Sequence, residues 1–257
     1  MRFVLLTLLI AGWSSLSDGQ SWGLVWSDEF NGTSIDTTNW MCDVSRGGGG
    51  GDELEDYTNR PENVRVENGN LLIIARKESY EGRDYTSARL RTQGRRSFAY
   101  GRIEARIKLP RQTGLWPAFW LLGNSIEQQG WPRCGEVDIM EYINTRPTIY
   151  GTMHWDNNGH VKLGSKIACN VTSYHTYAVE WDSNAIRWYL DTTKYCDGNI
   201  ADGINGTSVF HEPFFLLLNL AVGGDWPGSP DAGTMFPDTM FVDYVRVYRL
   251  ASSTRPR

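Results

Sequence analysis

The sequence of 257 residues lacks the marks of several large protein classes. Basic residues do not outnumber acidic ones: the net charge is −5, which argues against a nucleic-acid partner because such proteins carry a basic face. None of the four cysteines belongs to a C-x-x-C pair, so a zinc site of the common kind is not expected. Helical periodicity is scarce, and no apolar run reaches the roughly 20 residues that a membrane-spanning helix requires. The composition therefore predicts neither a nucleic-acid nor a membrane partner.

One apolar run lies at the N-terminus. Arg2 precedes the run FVLLTLLI (3–10), and small and polar residues follow it, as in a cleaved secretory signal peptide. A buried N-terminal strand is the alternative. We expect a signal peptide at 1–20, one domain at 21–250, and a short tail at 251–257 without an apolar segment for a lipid anchor. The mature protein is then expected to be secreted, extracellular and monomeric.

Secretion would place the cysteines in an oxidising compartment, where disulfide bonds form. The candidate partners are Cys42, Cys134, Cys169 and Cys196. Four cysteines allow three pairings, and the sequence does not choose among them. Sequons at Asn31, Asn170 and Asn205 are typical of surface loops in a glycosylated secretory protein.

The rest of the chain has the pattern of short strands. Residues 102–109 (RIEARIKL) alternate between apolar and charged side chains, which predicts a half-buried strand. The apolar runs 71–74 and 214–222 predict strands buried on both faces, residues 176–190 predict two strands around a turn, and 241–249 predict a closing strand. Many short strands without intervening helices indicate an all-β sandwich or barrel. Neither a linker nor an internal repeat divides the chain.

Three acids stand within six residues in the segment GEVDIMEY (135–142). On a regular strand Glu136 and Asp138 share a face, whereas Glu141, five positions after Glu136, points the other way. One extra residue, a β-bulge, would bring all three carboxyls into one cleft. Like charges held together raise the pKa of at least one group, and glycosidases need one carboxylate and one carboxylic acid. The alternatives are an acidic edge strand or a calcium site.

Tryptophans flank this acidic segment on both sides. Trp116 and Trp120 lie in GLWPAFWLL (114–122), Trp131 precedes the acids, and Trp155 follows in GTMHW (151–155). An aromatic ring offers a flat apolar face on which a pyranose can stack. Any one of these tryptophans could instead be a core residue, but four core tryptophans around one acidic cluster are harder to explain.

With these segments identified, the chain resembles family 16 of the glycoside hydrolases, and within it the laminarinase-like endo-β-1,3-glucanases. The resemblance covers about residues 24 to 250, and the order and spacing of its motifs agree. The motifs are WSDEF (26–30), ENVRVENGNLLIIA (62–75), SARLRT (87–92), YGRIEARIKLP (100–110), LWPAFWLLG (115–123), WPRCGEVDIMEY (131–142), GTMHW (151–155), YHTYAVEW (174–181), LNLAVGGDWPG (218–228) and FVDYVRVY (241–248).

The resemblance implies a concanavalin-like β-jelly-roll sandwich, in which two bent antiparallel sheets enclose a substrate cleft. It also implies a reaction that retains the configuration at the anomeric carbon. Glu136 would be the nucleophile, Glu141 the general acid/base, and Asp138 an assisting residue hydrogen-bonded to Glu136. His154 would contact the acid/base or the sugar at the cleavage point.

Further positions follow from the resemblance and from the aromatic pattern. The predicted substrate-binding residues are Trp116, Trp120, Trp131, Asn63, Arg91, Trp155 and Trp226. No cofactor is expected for catalysis. The family often carries a structural calcium, which here would be bound by Asp243 and by main-chain oxygens near Glu29 and Gly69.

The acid spacing separates groups within the family. The E-x-D-x-x-E form resembles laminarinases, agarases and carrageenases, whereas bacterial lichenases and plant xyloglucan-modifying enzymes resemble E-x-D-x-E. The predicted function is hydrolysis of internal β-1,3 bonds in laminarin-type glucans, with mixed-linkage glucans as a further substrate. The alternatives are a non-catalytic glucan receptor, a transglycosylase and a lectin. The glycine run 47–51 predicts either a mobile or a tightly apposed loop.

Overall fold

The computed structural model describes residues 21–251. The predicted signal peptide (1–20) lies outside the described residues, as does the predicted tail beyond residue 251. Nearly all regular structure is β-strand, with one short helix, α1 (Ile126–Gln129), and an irregular 3-10 segment (Ala201–His211). The strands are β1 Trp22–Asp28, β2 Met41–Cys42, β3 Glu55–Tyr57, β4 Val64–Glu67, β5 Asn70–Tyr80, β6 Arg83–Ser87, β7 Arg89–Arg91, β8 Gly101–Lys108, β9 Leu115–Gly123, β10 Glu136–Glu141, β11 Thr148–Asp156, β12 His160–Ala168, β13 His175–Trp181, β14 Ala185–Leu190, β15 Thr193–Asn199, β16 Phe214–Val222 and β17 Asp238–Leu250.

The strands form two sheets. The ten-stranded sheet runs in the order β15-β14-β13-β8-β17-β5-β6-β3, with β1 paired to β17 and β4 paired to β5. The seven-stranded sheet runs in the order β12-β11-β10-β9-β16-β7-β2. Neighbouring strands pair antiparallel, except that β3 and β6 pair parallel. The prediction of an all-β, jelly-roll sandwich is confirmed.

The burial of each strand follows its sequence pattern. In β8 the side chains of Ile103, Ala105 and Ile107 are fully buried, while Arg102 and Arg106 stay partly exposed, so this strand has one core face and one solvent face. In β16 all nine residues are buried. Leu216 and its alternate neighbours belong to the core between the sheets, whereas Phe215, Leu217 and Asn219 line a cleft on the opposite face. The apolar run 214–222 thus supplies both the core and the floor of the cleft.

The buried apolar residues of both sheets belong to one hydrophobic cluster, which supports treating residues 21–251 as one folding unit. Among these residues, no helix combines the length and the hydropathy needed to cross a membrane. Strands β13 and β14 flank the predicted turn at Ser183-Asn184, and β17 is the predicted closing strand.

The cysteines lie on four different segments: Cys42 in β2, Cys134 before β10, Cys169 after β12 and Cys196 in β15. All four are free thiols in this structure, so the expected disulfides are not formed. Burial raises the pKa of the Cys134 thiol to about 11, which keeps the thiol protonated and unreactive. The sequon residues Asn31, Asn170 and Asn205 are exposed, as glycosylation requires.

Candidate active site

A β-bulge in β10 determines where the three acids point. Against β11, Asp138 pairs with Thr152 and Glu141 pairs with Tyr150, so three steps along β10 match two steps along its partner. The pairing with β9 shifts at the same place. Ile139 and Met140 are therefore both turned into the core, where they are fully buried. The predicted bulge is confirmed, and Glu136, Asp138 and Glu141 line one cleft.

A buried tryptophan from the other sheet supports the bulge. Trp188 of β14 is fully buried, and its Nε1–H donates a 2.8 Å hydrogen bond to the main-chain oxygen of Asp138. A bulge leaves backbone groups without a partner in the sheet, and a buried carbonyl without a partner costs about 1–3 kcal/mol. The Trp188 indole thus stabilises the strand at the irregularity that orients the acids.

The three carboxyls disfavour one another's charge. Burial, and then the neighbouring carboxyl of Asp138, raise the pKa of both Glu136 and Glu141 well above the ordinary value. Burial raises the pKa of Asp138 to about 7. The cluster therefore holds protons at mildly acidic pH, and one site can offer both a carboxylate and a carboxylic acid.

The acid Glu141 contacts two positively polarised groups. Trp116 Nε1–H donates to Glu141 Oε1 at 3.0 Å. That hydrogen bond and the charge of Lys162 on β12 both lower the pKa of Glu141, although by less than burial raises it. Trp116 packs edge-on against Trp226, with ring centroids 5.6 Å apart, and Tyr150 packs on the other side of Trp226 at 4.9 Å. These aromatic rings form a wall beside Glu141.

His154 lies on the cleft face of β11, opposite Glu136 in the strand register. Its Nε2 is 3.2 Å from Asp138 Oδ2 and 4.0 Å from Glu136 Oε1. Burial lowers the pKa of His154, although the Glu136 carboxylate acts in the opposite direction. A neutral imidazole beside two acids can donate one hydrogen bond and accept another.

The cleft continues on both sides of the acids. Toward β7 its floor carries Trp120, whose Nε1–H donates to Asn219 Oδ1 at 2.8 Å. Arg91 also lines this side, with its Nε 2.9 Å from Asp43 Oδ1. Toward β12 the cleft is lined by Tyr150, Lys162 and other side chains. Trp131 and Trp226 are large apolar side chains left exposed at the cleft, at 49% and 39%. A polysaccharide could therefore lie across the carboxyls rather than end at them.

The glycine run 47–51 packs tightly against the wall of this cleft. Gly49 N–H donates to Glu53 Oε2 at 2.6 Å, and Asp225 N–H donates to the oxygen of Gly51 at 2.8 Å. A Cβ atom added to Gly48 would lie 2.3 Å from Glu53 Oε2, and one added to Gly49 would lie 1.8 Å from an Arg89 nitrogen. A side chain at Gly48 or Gly49 would have to displace Glu53 or Arg89, whereas a Cβ atom at Gly50 would meet nothing within 4 Å, so the tightly apposed alternative holds for the first part of the run.

Two predicted binding residues do not reach the cleft. Trp155 is 5% exposed and belongs to the core, because it follows His154 on β11 and the strand alternates. Its Nε1–H donates to the oxygen of Asn205. Asn63 is fully buried and hydrogen-bonded to Thr58, Thr86 and the main chain of Ile74. The predictions that Trp155 and Asn63 bind substrate are therefore wrong.

The predicted calcium ligands have other partners. Glu29 forms two hydrogen bonds with Arg246, at 2.9 and 2.7 Å, and Asp243 pairs with Arg106 at 2.5 Å. Arginine guanidinium groups already balance the negative charge of both carboxylates. Calcium prefers a cage of anionic oxygens, so these surroundings do not fit the ion. Gly69 has a positive φ in the turn between β4 and β5. Calcium binding stays a prediction, and nothing below depends on it.

Among residues 21–251, one group of possible metal donors brings its atoms within 4.8 Å of one another: Glu136, Asp138 and His154. The imidazole nitrogen makes this set unsuited to calcium, which takes oxygen ligands. The calcium alternative for the acidic segment is thus not favoured.

Some residues of the site were missed from the sequence. Asn219 and Tyr150 lie at cleft-facing positions of β16 and β11, and alternation from Leu218 and Met153 could have indicated them. Glu53 and Lys162 carried no motif that distinguishes them from ordinary surface charges.

Known proteins share this sequence and architecture. Residues 52–246 match the model of the glycosyl hydrolases family 16. The clotting factor G alpha subunit of Tachypleus tridentatus is 42% identical over 91% of this chain and 35% of its own length. The beta-glucanase of Rhodothermus marinus is 42% identical over 96% of this chain and 94% of its own length. The laminarinase catalytic domain of Thermotoga maritima has a TM-score of 0.82 and 42% identity, covering 91% of this chain and 100% of that one. The chain belongs to the glycosyl hydrolases of family 16.

Proposed function

We propose that the protein is a secreted, endo-acting and retaining β-glucanase that hydrolyses internal β-1,3-glucosidic bonds of laminarin-type glucans, with mixed-linkage β-1,3-1,4-glucans as a further substrate. The observation that carries the proposal is the bulge in β10. It turns Glu136, Asp138 and Glu141 toward one cleft. A purely structural strand would gain nothing from three mutually repelling carboxyls.

In the first step the Glu136 carboxylate attacks the anomeric carbon, and the Glu141 carboxylic acid gives its proton to the glycosidic oxygen. The bond between that oxygen and the anomeric carbon breaks, and the leaving chain departs as an alcohol. In the second step the Glu141 carboxylate takes a proton from water, whose oxygen attacks the anomeric carbon and releases Glu136. The raised pKa of Glu141 keeps it protonated for the first step.

The substrate class follows from the walls of the cleft. Trp131, Trp226 and Trp116 offer flat apolar faces to a neutral sugar chain. The cleft continues on both sides of the acids, which suits cleavage within a chain. The relatives named above as a beta-glucanase and a laminarinase support a glucan substrate. Secretion, glycosylation and a monomeric state are part of the proposal; secretion rests on the N-terminal apolar run, and glycosylation rests on the exposed sequons.

The test is hydrolysis of laminarin by the purified protein, followed by proton NMR of the anomeric signals during the first minutes. We expect oligosaccharides of mixed length, which indicate endo cleavage, and initial products in the β configuration, which indicate retention. Glu136→Gln should lower kcat by about a thousandfold or more, because the covalent step is lost.

The matched control is Glu212→Gln, which changes an exposed carboxyl outside the cleft and should leave turnover unchanged. Initial products in the α configuration would contradict the retaining mechanism. Glucan binding without any turnover by the unaltered protein would instead favour the receptor function.

A further inference from the structure

His160 has no part in the reaction described above, yet it contacts the catalytic cluster. It begins β12, and its Nε2 lies 2.8 Å from His154 Nδ1. The two imidazole planes are 11° apart and the ring centroids 5.1 Å apart, so the rings lie nearly coplanar, edge to edge along this hydrogen bond. The ring centroid of Trp131 lies 4.6 Å from that of His160 and 6.1 Å from that of His154, so Trp131 packs against both histidines.

The direction of the hydrogen bond between the two histidines matters. A neutral imidazole has one N–H donor and one bare nitrogen acceptor, and the partner of one nitrogen fixes the role of the other. His154 Nε2 faces the carboxyl of Asp138 at 3.2 Å, and Asp138 Oδ2 is buried without another hydrogen-bond partner among the described residues. If His154 Nδ1 accepts the N–H of His160, its Nε2 carries the hydrogen and can donate to Asp138.

His154 Nε2 is within hydrogen-bonding distance of Asp138 Oδ2, but the two groups are poorly aligned, since Asp138 Oδ2 has no hydrogen bond of acceptable geometry among the described residues. A small rotation of the imidazole would align it, and catalytic hydrogen bonds often tighten only when substrate binds. The in-plane hydrogen bond between His160 and His154 limits that rotation. The charged groups around the pair are Lys162, Glu136 and Asp138, and the positive charge of Lys162 opposes protonation of both histidines.

We propose that His160 is a positioning residue: it holds His154 in the tautomer that donates from Nε2 to Asp138, and thereby orients the Asp138 and Glu136 pair for attack. The expected effect on kcat rests on the proposed function, whereas the expected tautomer of His154 does not. His160 does not touch the reacting atoms. It acts through His154.

Two substitutions of His160 distinguish the effect of its hydrogen bond from the effect of its side-chain volume. His160→Gln keeps an N–H donor that can reach His154 Nδ1, whereas His160→Leu has none. His160→Leu should lower kcat on laminarin on the order of tenfold with KM within about twofold, because the nucleophile pair is less well oriented. His160→Gln should restore most of that loss. The matched control is His175→Gln, on β13 and paired with Asp191 rather than with the cleft, which should leave kcat unchanged.

The tautomer itself is measured by long-range nitrogen-proton NMR correlations of the imidazole rings, which distinguish a bare nitrogen from a protonated one. We expect the Nε2–H form of His154 in the wild type and in His160→Gln, and a mixture of forms in His160→Leu. An Nδ1–H form in the wild type, or an unchanged tautomer in His160→Leu, would overturn the inference. A raised KM at constant kcat would also overturn it, because His160 would then be a sugar contact. The NMR result does not need turnover, so failure of the proposed function would be recognised separately.

Discussion

Two clusters of charged side chains, one on each sheet, differ in whether their charges are compensated. On the ten-stranded sheet, Arg102 pairs with Glu104 at 2.8 Å and with Glu180 at 2.9 Å, so each charge has a partner of opposite sign. On the cleft face of β10, three carboxyls share one site, and Lys162, whose charge lowers the pKa of Glu141, lies on the edge strand β12. The Arg102 and Glu104 side chains are only 17% and 10% exposed, so the opposite charges offset a desolvation cost that each would otherwise carry alone. The unbalanced cluster costs stability, and that cost is consistent with a chemical role.

The largest expected effect is on kcat, and it distinguishes Glu141, a carboxyl in the cleft, from Glu180, a carboxyl paired with Arg102. Glu141→Ala should lower kcat on laminarin by about 10²–10⁴-fold, because the leaving oxygen loses its proton donor. The loss should shrink on an aryl glucoside with a good leaving group, and azide should restore turnover as an external nucleophile. Glu180→Ala, on the other sheet, should change kcat by less than about twofold. Absence of any rescue would remove the acid/base assignment of Glu141.

The second comparison uses two buried tryptophans that each donate one hydrogen bond to a main-chain oxygen. Trp188→Phe removes the bond to Asp138, and Trp155→Phe removes the bond to Asn205. Trp188→Phe should lower the free energy of unfolding in urea by about 1–3 kcal/mol, because a buried carbonyl loses its partner, and Trp155→Phe should lower it by less, because Asn205 is exposed and water can replace the indole. Only Trp188→Phe should also reduce kcat, by about tenfold, because the bulge that orients the acids is loosened. Equal losses of activity in both variants would contradict a special role for Trp188.

The smallest effect concerns stability as a function of pH. Burial raises the pKa of Asp138 from 3.8 to about 7, so the folded state holds this proton more tightly than the unfolded state does. The stability that the proton confers is complete below about pH 4 and is lost as the pH rises through about 7. Asp138→Asn, which is never charged, should therefore raise the Tm by about 3 °C or more at pH 8 and leave it nearly unchanged at pH 3.

On the ten-stranded sheet, the contribution of a carboxyl to stability is expected to change with pH in the opposite direction. A hydrogen bond from Arg246 lowers the pKa of Glu29, so its contribution to stability is present at neutral pH and lost as the pH falls through its lowered value. Glu29→Gln should lower the Tm slightly at pH 7 and not at pH 2. If both variants shifted the Tm in the same direction at neutral pH, the contrast between the sheets would not hold.

The sequence predicted the elements whose pattern repeats within a few residues. The alternation in 102–109 and the apolar run 214–222 correspond to β8 and β16. The bulge was predictable because Glu136 and Glu141 stand an odd number of residues apart, which a regular strand cannot place on one face. The resemblance to family 16 then predicted the jelly roll, which is confirmed, and the roles of the acids, which stay predictions.

What the sequence did not reveal depends on contacts between distant segments. The sequence placed Trp155 in a motif, but only the register of β11 shows that its side chain faces the core and not the cleft. Asn63 is part of a buried network with Thr86 on another strand, which no local pattern marks. The contact between His154 and His160 depends on the turn between β11 and β12, and the close fit of Gly49 depends on Arg89, forty residues away.

Because β10 contains an extra residue, the strand can lose one residue and still direct its acids into the cleft. If one of Ile139 and Met140 were lost, Glu141 would stand four positions from Glu136, an even separation, and an unbroken pleat would still direct it into the cleft. Insertion or deletion of a single codon can therefore convert the E-x-D-x-x-E and E-x-D-x-E spacings into each other. Neither form places an acid in the core. Both spacings are compatible with one ancestral strand, differing in backbone path and not in the set of groups presented to the sugar.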